Sequence, residues 1–207
     1  MRQLLDAMRA PAATRLAPLV GLSIGAITGS LYWAAAQLWP SNVAVILSML
    51  AGALLTNDLR QAAAASRIEV LSQLFYVLIK YNVLMALSAA KLPFAAPPNT
   101  ALCLVMICGY GASRSLAVCL LASRAPPQAA PLSHLDLVVA LLIGFAPALL
   151  LGVPGLIGLA AAVVSVIGLS FLLKTRRGAA PRALIMVAPW IAEPCFYLGA
   201  QASWRYV

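Results

Sequence analysis

The chain has 207 residues, 63% hydrophobic and only 9% charged, with a net charge of +9 and a mean hydropathy of +0.96. A soluble domain carries about 25% charged residues to cover its surface, so this composition excludes a soluble globular protein and requires the lipid bilayer as partner. The positive balance does not indicate nucleic acid, because the cations lie in short loops and form no face.

Apolar runs near the ~20 residues that a helix needs to cross a bilayer recur along the whole chain. They are long, unbroken and rich in Ala and Leu, unlike the alternating strands of a membrane barrel. The expected fold is all-α: one polytopic integral-membrane helical domain over 1–207, with seven spans near 17–38, 42–57, 70–90, 100–122, 135–151, 153–173 and 184–203.

The first span follows an arginine-bearing start and ends near Ala34, Ala35 and Ala36. Its apolar region is longer than the ~7–15 residues of a signal peptide, so it is retained as a span. Gly21, Gly25 and Gly29 are spaced by four, which puts them on one helix face where a neighbouring helix can approach closely. Trp39 to Asn42 form a turn, and Pro40 to Asn42 open the second helix. That span runs into "GALLTNDLRQAAAASR", residues 52–67, whose Gln61 to Ala65 are good helix formers and predict a helix continuing to about Ser66. On such a helix Asp58 and Glu69, 11 residues apart, share a face about 16 Å apart, too far to share one metal ion.

The third span carries Lys80, with Tyr76, Tyr81 and Asn82 beside it, and the fourth carries Arg114 between Ser113 and Ser115. Turn chemistry at 152–155 separates the fifth and sixth spans. The seventh carries Glu193 just before Pro194, and Pro189 and Pro194 are expected to distort it and free backbone carbonyls near the carboxylate. Ionisable groups in hydrocarbon are functional candidates by default. Lys80, Arg114 and Glu193 are read either as a buried ion pair, Glu193 with Lys80 or Arg114, or as a ligand-facing cluster. Snorkelling to the interface is a further reading for Lys80.

Ten cations (Arg2, Arg9, Arg15, Arg60, Arg67, Arg124, Lys174, Arg176, Arg177 and Arg182) fall on one side of this topology, against Lys91 and Arg205 on the other. The asymmetry places the N-terminus in the cytoplasm and the C-terminus outside, as in a multi-pass protein of a bacterial-type inner membrane. Cys103, Cys108, Cys119 and Cys195 lie in apolar runs without a C-x-x-C pair and read as small hydrophobes. With His134 as the single histidine, neither a His-based metal cluster nor a Ser-His-Asp arrangement can form. There is no P-loop, no H-E-x-x-H, no repeat and no inverted pair of broken helices.

Several segments are familiar in order. "APLVGLSIGAITGSLYWAAAQLWP", "LSMLAGALLT", "LFYVLIKYNVLMAL", "GYGASRSLAVCLLAS" and "LLKTRRG...WIAEPCFYLG" resemble the cobalamin synthase family, adenosylcobinamide-GDP ribazoletransferase. The resemblance implies a membrane transferase that joins adenosylcobinamide-GDP to α-ribazole or its phosphate and releases GMP with the help of Mg²⁺. Corrinoid and nucleotide-linked small molecules are its implied ligands, and a homo-oligomer stays open. In the family, an H-x-D-G-x-x-D-x-x-D-G type motif follows the second span and a G-G-x-T-G-D motif precedes the last one. Here an ungapped reading sets Arg60 at the histidine and Ala62 and Ser66 at the first two aspartates; near the end Gly178 matches, but Ala183 stands at the acid. The retained positions are Pro18, Gly21, Gly25, Lys80, Arg114 and Glu193.

Three functions follow. In the first, transferase chemistry persists with Asp58 and Glu69 as replacement metal ligands, Asp58 and Glu193 as catalytic groups, and Lys80, Arg114, Arg60, Arg67, Lys174, Arg176, Arg177 and Arg182 binding substrate. In the second, the chain is a catalytically inactive relative, a membrane scaffold or corrinoid-binding partner, because lost acids remove the charge stabilisation that phosphoryl chemistry needs. In the third, it is a small permease subunit using Lys80, Arg114 or Glu193.

Overall fold

The computed structural model describes residues 16–56, 67–89, 99–124, 133–175 and 181–204. Among these residues there are seven helices and no strand: α1 (Ala17–Ala35), α2 (Ser41–Leu55), α3 (Arg67–Ser88), α4 (Thr100–Arg124), α5 (His134–Leu149), α6 (Val153–Thr175) and α7 (Pro181–Trp204). Each lies on one of the expected spans. Three stretches are long and apolar enough to cross a membrane, Ala17–Ala35, Thr100–Ser123 and Val153–Phe171, and Ser41–Leu55, Gln73–Ser88 and His134–Leu149 are shorter apolar helices. The outward faces are apolar: Val20 and Ile27 on α1, Leu142 and Leu149 on α5, and Val164, Ile167 and Phe171 on α6 are all exposed. Contiguous apolar surface of this extent suits acyl chains and not water.

α4 is the axis of the bundle. Of its span-length window 67% is buried, against 33% for α1 and 28% for α6. The other six helices form a closed ring around it in the order α1, α2, α3, α7, α6, α5 and back to α1. α1 docks on α4 through the glycine face read from the sequence. A Cβ at Gly21 would lie 2.7 Å from Arg114 Cγ, one at Gly25 2.7 Å from Ile107 Cα, and one at Gly29 2.8 Å from Cys103 Sγ. No real side chain tolerates such distances, so only glycine permits this approach. Residue numbers rise along α1 as they fall along α4, so the two helices are antiparallel.

Local chemistry sets the helix ends. Pro40 is the N-cap of α2, as expected, and α2 ends at Leu55 with Thr56 as its C-cap. The predicted continuation to Ser66 falls on residues outside the described ones. The turn between α5 and α6 is tighter than the sequence suggested. Gly152, at φ 64, makes it, while Pro154 and Gly155 already belong to the first turn of α6. Proline is tolerated there because that amide has no intrahelical acceptor. α7 runs continuously from Pro181 to Trp204 through both Pro189 and Pro194.

Buried hydroxyls are satisfied within the bundle. Thr28 Oγ1 donates to Ile24 O (2.9 Å), Ser48 Oγ to Val45 O (2.8 Å), and Ser203 Oγ to Ala200 O (2.9 Å). This i−3 or i−4 back-bonding removes them as ligand candidates. The four cysteines are free thiols, with Cys108 buried and the other three partly buried.

Candidate functional site

Two of the three ionisable residues read from the spans meet in the bundle. Lys80 Nζ lies 2.6 Å from Glu193 Oε1, with both side chains almost wholly buried. The pair joins α3 to α7, and three tyrosines complete it. The Tyr197 hydroxyl donates to Glu193 Oε1 at 2.9 Å and the Tyr76 hydroxyl to Glu193 Oε2 at 3.0 Å. Lys80 Nζ donates to the Tyr110 hydroxyl at 2.9 Å and, more loosely, to the Tyr76 hydroxyl at 3.4 Å. The ammonium also sits 4.6 Å from the Tyr110 ring centroid and 5.6 Å from that of Tyr76, within cation–π range.

Helix periodicity builds much of this cluster. Tyr76 and Lys80 are four apart on α3, and Glu193 and Tyr197 are four apart on α7, so each pair shares a face. Tyr110 enters from α4. Two glycines make room for the rings. A Cβ at Gly109 would run into the Tyr197 ring, and one at Gly52 of α2 would strike the Tyr110 hydroxyl. Trp190, one turn before Glu193, stacks on Tyr76 with ring centroids 5.9 Å apart and 27° between planes.

The result is closed electrostatics. Both Glu193 oxygens accept hydrogen bonds, Lys80 has acceptors around it, and among the described residues no buried side-chain polar atom is left without a partner. Burying two charges in an apolar bundle is costly, and a salt bridge offsets that cost only when its remaining donors and acceptors are also satisfied. Here they are. Three donors hold this carboxylate, so Glu193 positions helices and holds Lys80.

Arg114 is not part of this cluster. It stands one turn along α4 from Tyr110, half-buried, with its stem against α1 at Gly21. Its neighbours are engaged elsewhere: Ser113 Oγ donates to Tyr110 O (3.0 Å), and Ser115 Oγ to Gly111 O (3.1 Å) and to Ala140 O of α5 (3.0 Å). Of the other expected site residues, Arg67 and Glu69 fall in the first turn of α3, Lys174 in the last turn of α6 and Arg182 in the first turn of α7. Asp58, Arg60, Arg176 and Arg177 lie outside the described residues.

Tyr110 and Tyr197 were not singled out by sequence reasoning. Their signal was present in the i+4 spacing of Tyr197 from Glu193 and in a tyrosine flanked by glycines at 109–111.

Residues 3–60 match a family model described as cobalamin-5-phosphate synthase. The resemblance read from the sequence is thus supported over this segment. The match covers α1 and α2, a little over a quarter of the chain, and ends at Arg60, the residue set against the family's motif histidine. No curated protein and no solved structure matches the chain.

The magnesium ion implied by that family has no complete ligand set among the described residues, and Asp58 lies outside them. They hold no group of three or more His, Cys, Asp or Glu that could bind one ion. Glu193 is engaged by Lys80, Tyr76 and Tyr197, and Asp136 is tied to the start of α5, where its amide donates to Ser133 Oγ at 3.1 Å and its carboxylate accepts from the same hydroxyl at 2.9 Å.

Proposed function

We propose that the chain works at the cobalamin-synthase step: it joins adenosylcobinamide-GDP to α-ribazole or its phosphate at a bacterial-type inner membrane, and GMP leaves. The observation that carries this reading is the family match over residues 3–60. The bundle adds support, since α1 and α2, the matched helices, pack directly beside the Lys80 cluster through Gly52 and on the Arg114 stem through Gly21. Seven membrane crossings with a cytoplasmic N-terminus belong to the same proposal. In that orientation, Arg60, Arg67, Lys174, Arg176, Arg177 and Arg182 face the compartment from which nucleotide-linked substrates arrive.

One observation favours a second reading. Ala62, Ser66 and Ala183 stand where the resembling family keeps acids, and phosphoryl-group transfer depends on the charge stabilisation that an acid-held metal supplies. A relative that binds corrinoid without turning it over fits this. Purified protein incubated with both substrates and Mg²⁺, and assayed for GMP, separates the two. GMP release above that of a mock preparation supports the transferase. Saturable corrinoid binding, read by absorbance without GMP, supports the binding partner. Neither signal would overturn both and leave the permease reading, tested by substrate flux in proteoliposomes.

A further inference from the structure

The inward side of α3 carries Lys80, Val83, Leu84 and Leu87, all buried in the bundle. On its opposite side Leu71, Phe75, Leu78 and Asn82 are exposed. Their spacing of 4, 3 and 4 sets them in one narrow stripe along the helix. Acyl chains suit the first three. Asn82 is a different matter.

Asn82 lies two residues past Lys80, about 3 Å along the axis and about 200° round it. Lys80 Nζ meets the hydroxyl of Tyr110, the eleventh residue of the 25-residue α4. The level is therefore near the middle of the bundle, and an asparagine side chain is too short to reach the interface from there. A buried hydroxyl such as Thr28 uses its single donor on its own helix. A carboxamide carries two donors and an acceptor oxygen. Asn82 Nδ2 donates to Leu78 O at 2.8 Å, which uses one of these. The side chain is exposed, so the remaining amide capacity faces out of the bundle. Leaving it in hydrocarbon is costly.

A second copy of the chain satisfies it. An amide donates and accepts at once, so two of them across a two-fold axis satisfy each other. Copies inserted with one topology are related by an axis along the membrane normal. Their α3 helices then run parallel, and each stripe residue meets its twin. An apolar 3–4 stripe holding one asparagine is also the pattern that fixes register in parallel helix pairs.

We infer that the chain forms a parallel homodimer through the Leu71, Phe75, Leu78 and Asn82 stripe of α3, with Asn82 hydrogen-bonded to the partner's Asn82. The dimer does not rest on the transferase reading, because pairing needs neither substrate nor turnover.

The test uses the full chain in liposomes over a series of protein-to-lipid ratios, with subunits counted by single-molecule photobleaching. Wild type should dimerise as the ratio rises, and Asn82→Leu, which lipid accepts, should weaken pairing roughly tenfold. In the same membranes, Leu78→Cys should give an oxidant-dependent dimer band above the baseline set by the native thiols of wild type. Val164→Cys, on the exposed face of α6, should not. A wild type that stays monomeric at every ratio, with lipid or another protein left to cover the stripe, would overturn the dimer. So would Asn82→Leu pairing as tightly as wild type, or Val164→Cys cross-linking as well as Leu78→Cys. If Asn82→Leu does not fold, the two cysteine variants decide between this face and any other.

Discussion

The surroundings of Lys80 and Arg114 differ in one respect that matters for function. Lys80 is closed: a carboxylate from α7 and two tyrosines, from α3 and α4, account for its charge. Arg114, one turn away along α4 from Tyr110, is open, and the chain supplies it with no counter-charge among the described residues. A closed cluster stabilises the bundle by satisfying both buried charges. Charge inside an apolar helix is therefore insufficient to mark a binding residue, since a carboxylate from a neighbouring helix can account for it.

Substitutions break or sharpen that contrast, and stability measured by reversible unfolding in detergent reads most of them. Glu193→Leu strands a buried ammonium and is expected to cost about 3–5 kcal/mol. Adding Lys80→Met should recover much of the loss, because two apolar side chains replace two charges; a double variant as unstable as the single one would break the closed-cluster account. Gly109→Val is expected to cost about 1–3 kcal/mol by pushing the Tyr197 ring off its site, with Tyr197 losing its hold on Glu193. A smaller loss, about 1–2 kcal/mol, is expected for Tyr76→Phe, which deletes one hydrogen bond to Glu193 and keeps the stack on Trp190. Arg114→Gln should change stability in phosphatidylcholine by no more than about 0.5 kcal/mol, since no internal bond is lost. A loss matching that of Glu193→Leu would show that Arg114 is closed as well.

Much of this architecture was legible because the membrane simplifies the code. Apolar run length located all seven helices, and the four-residue glycine spacing identified the face of α1 that meets α4. The Lys80–Glu193 pair was one of two pairings the sequence allowed; the choice against Arg114 needed the tertiary structure, since α3 and α7 are neighbours across 113 residues of chain. Tyr110 was hidden for the same reason. A tyrosine between glycines signals packing, and its hydroxyl contact to Lys80 exists only once α4 is enclosed by the ring. Pro154 and Gly155 misled because turn residues inside a helical first turn look the same in sequence as residues in a loop.

The ring around α4 also has a consequence for biosynthesis. A chain emerging from the ribosome delivers Lys80 early and Glu193 last, with three whole helices made between them. Until α7 arrives, the lysine of α3 is without its carboxylate. A nascent chain truncated before Pro181 would carry an unneutralised ammonium on a helix with a largely apolar outer face. Completing this salt bridge is therefore the step that ties the early helices to the late one.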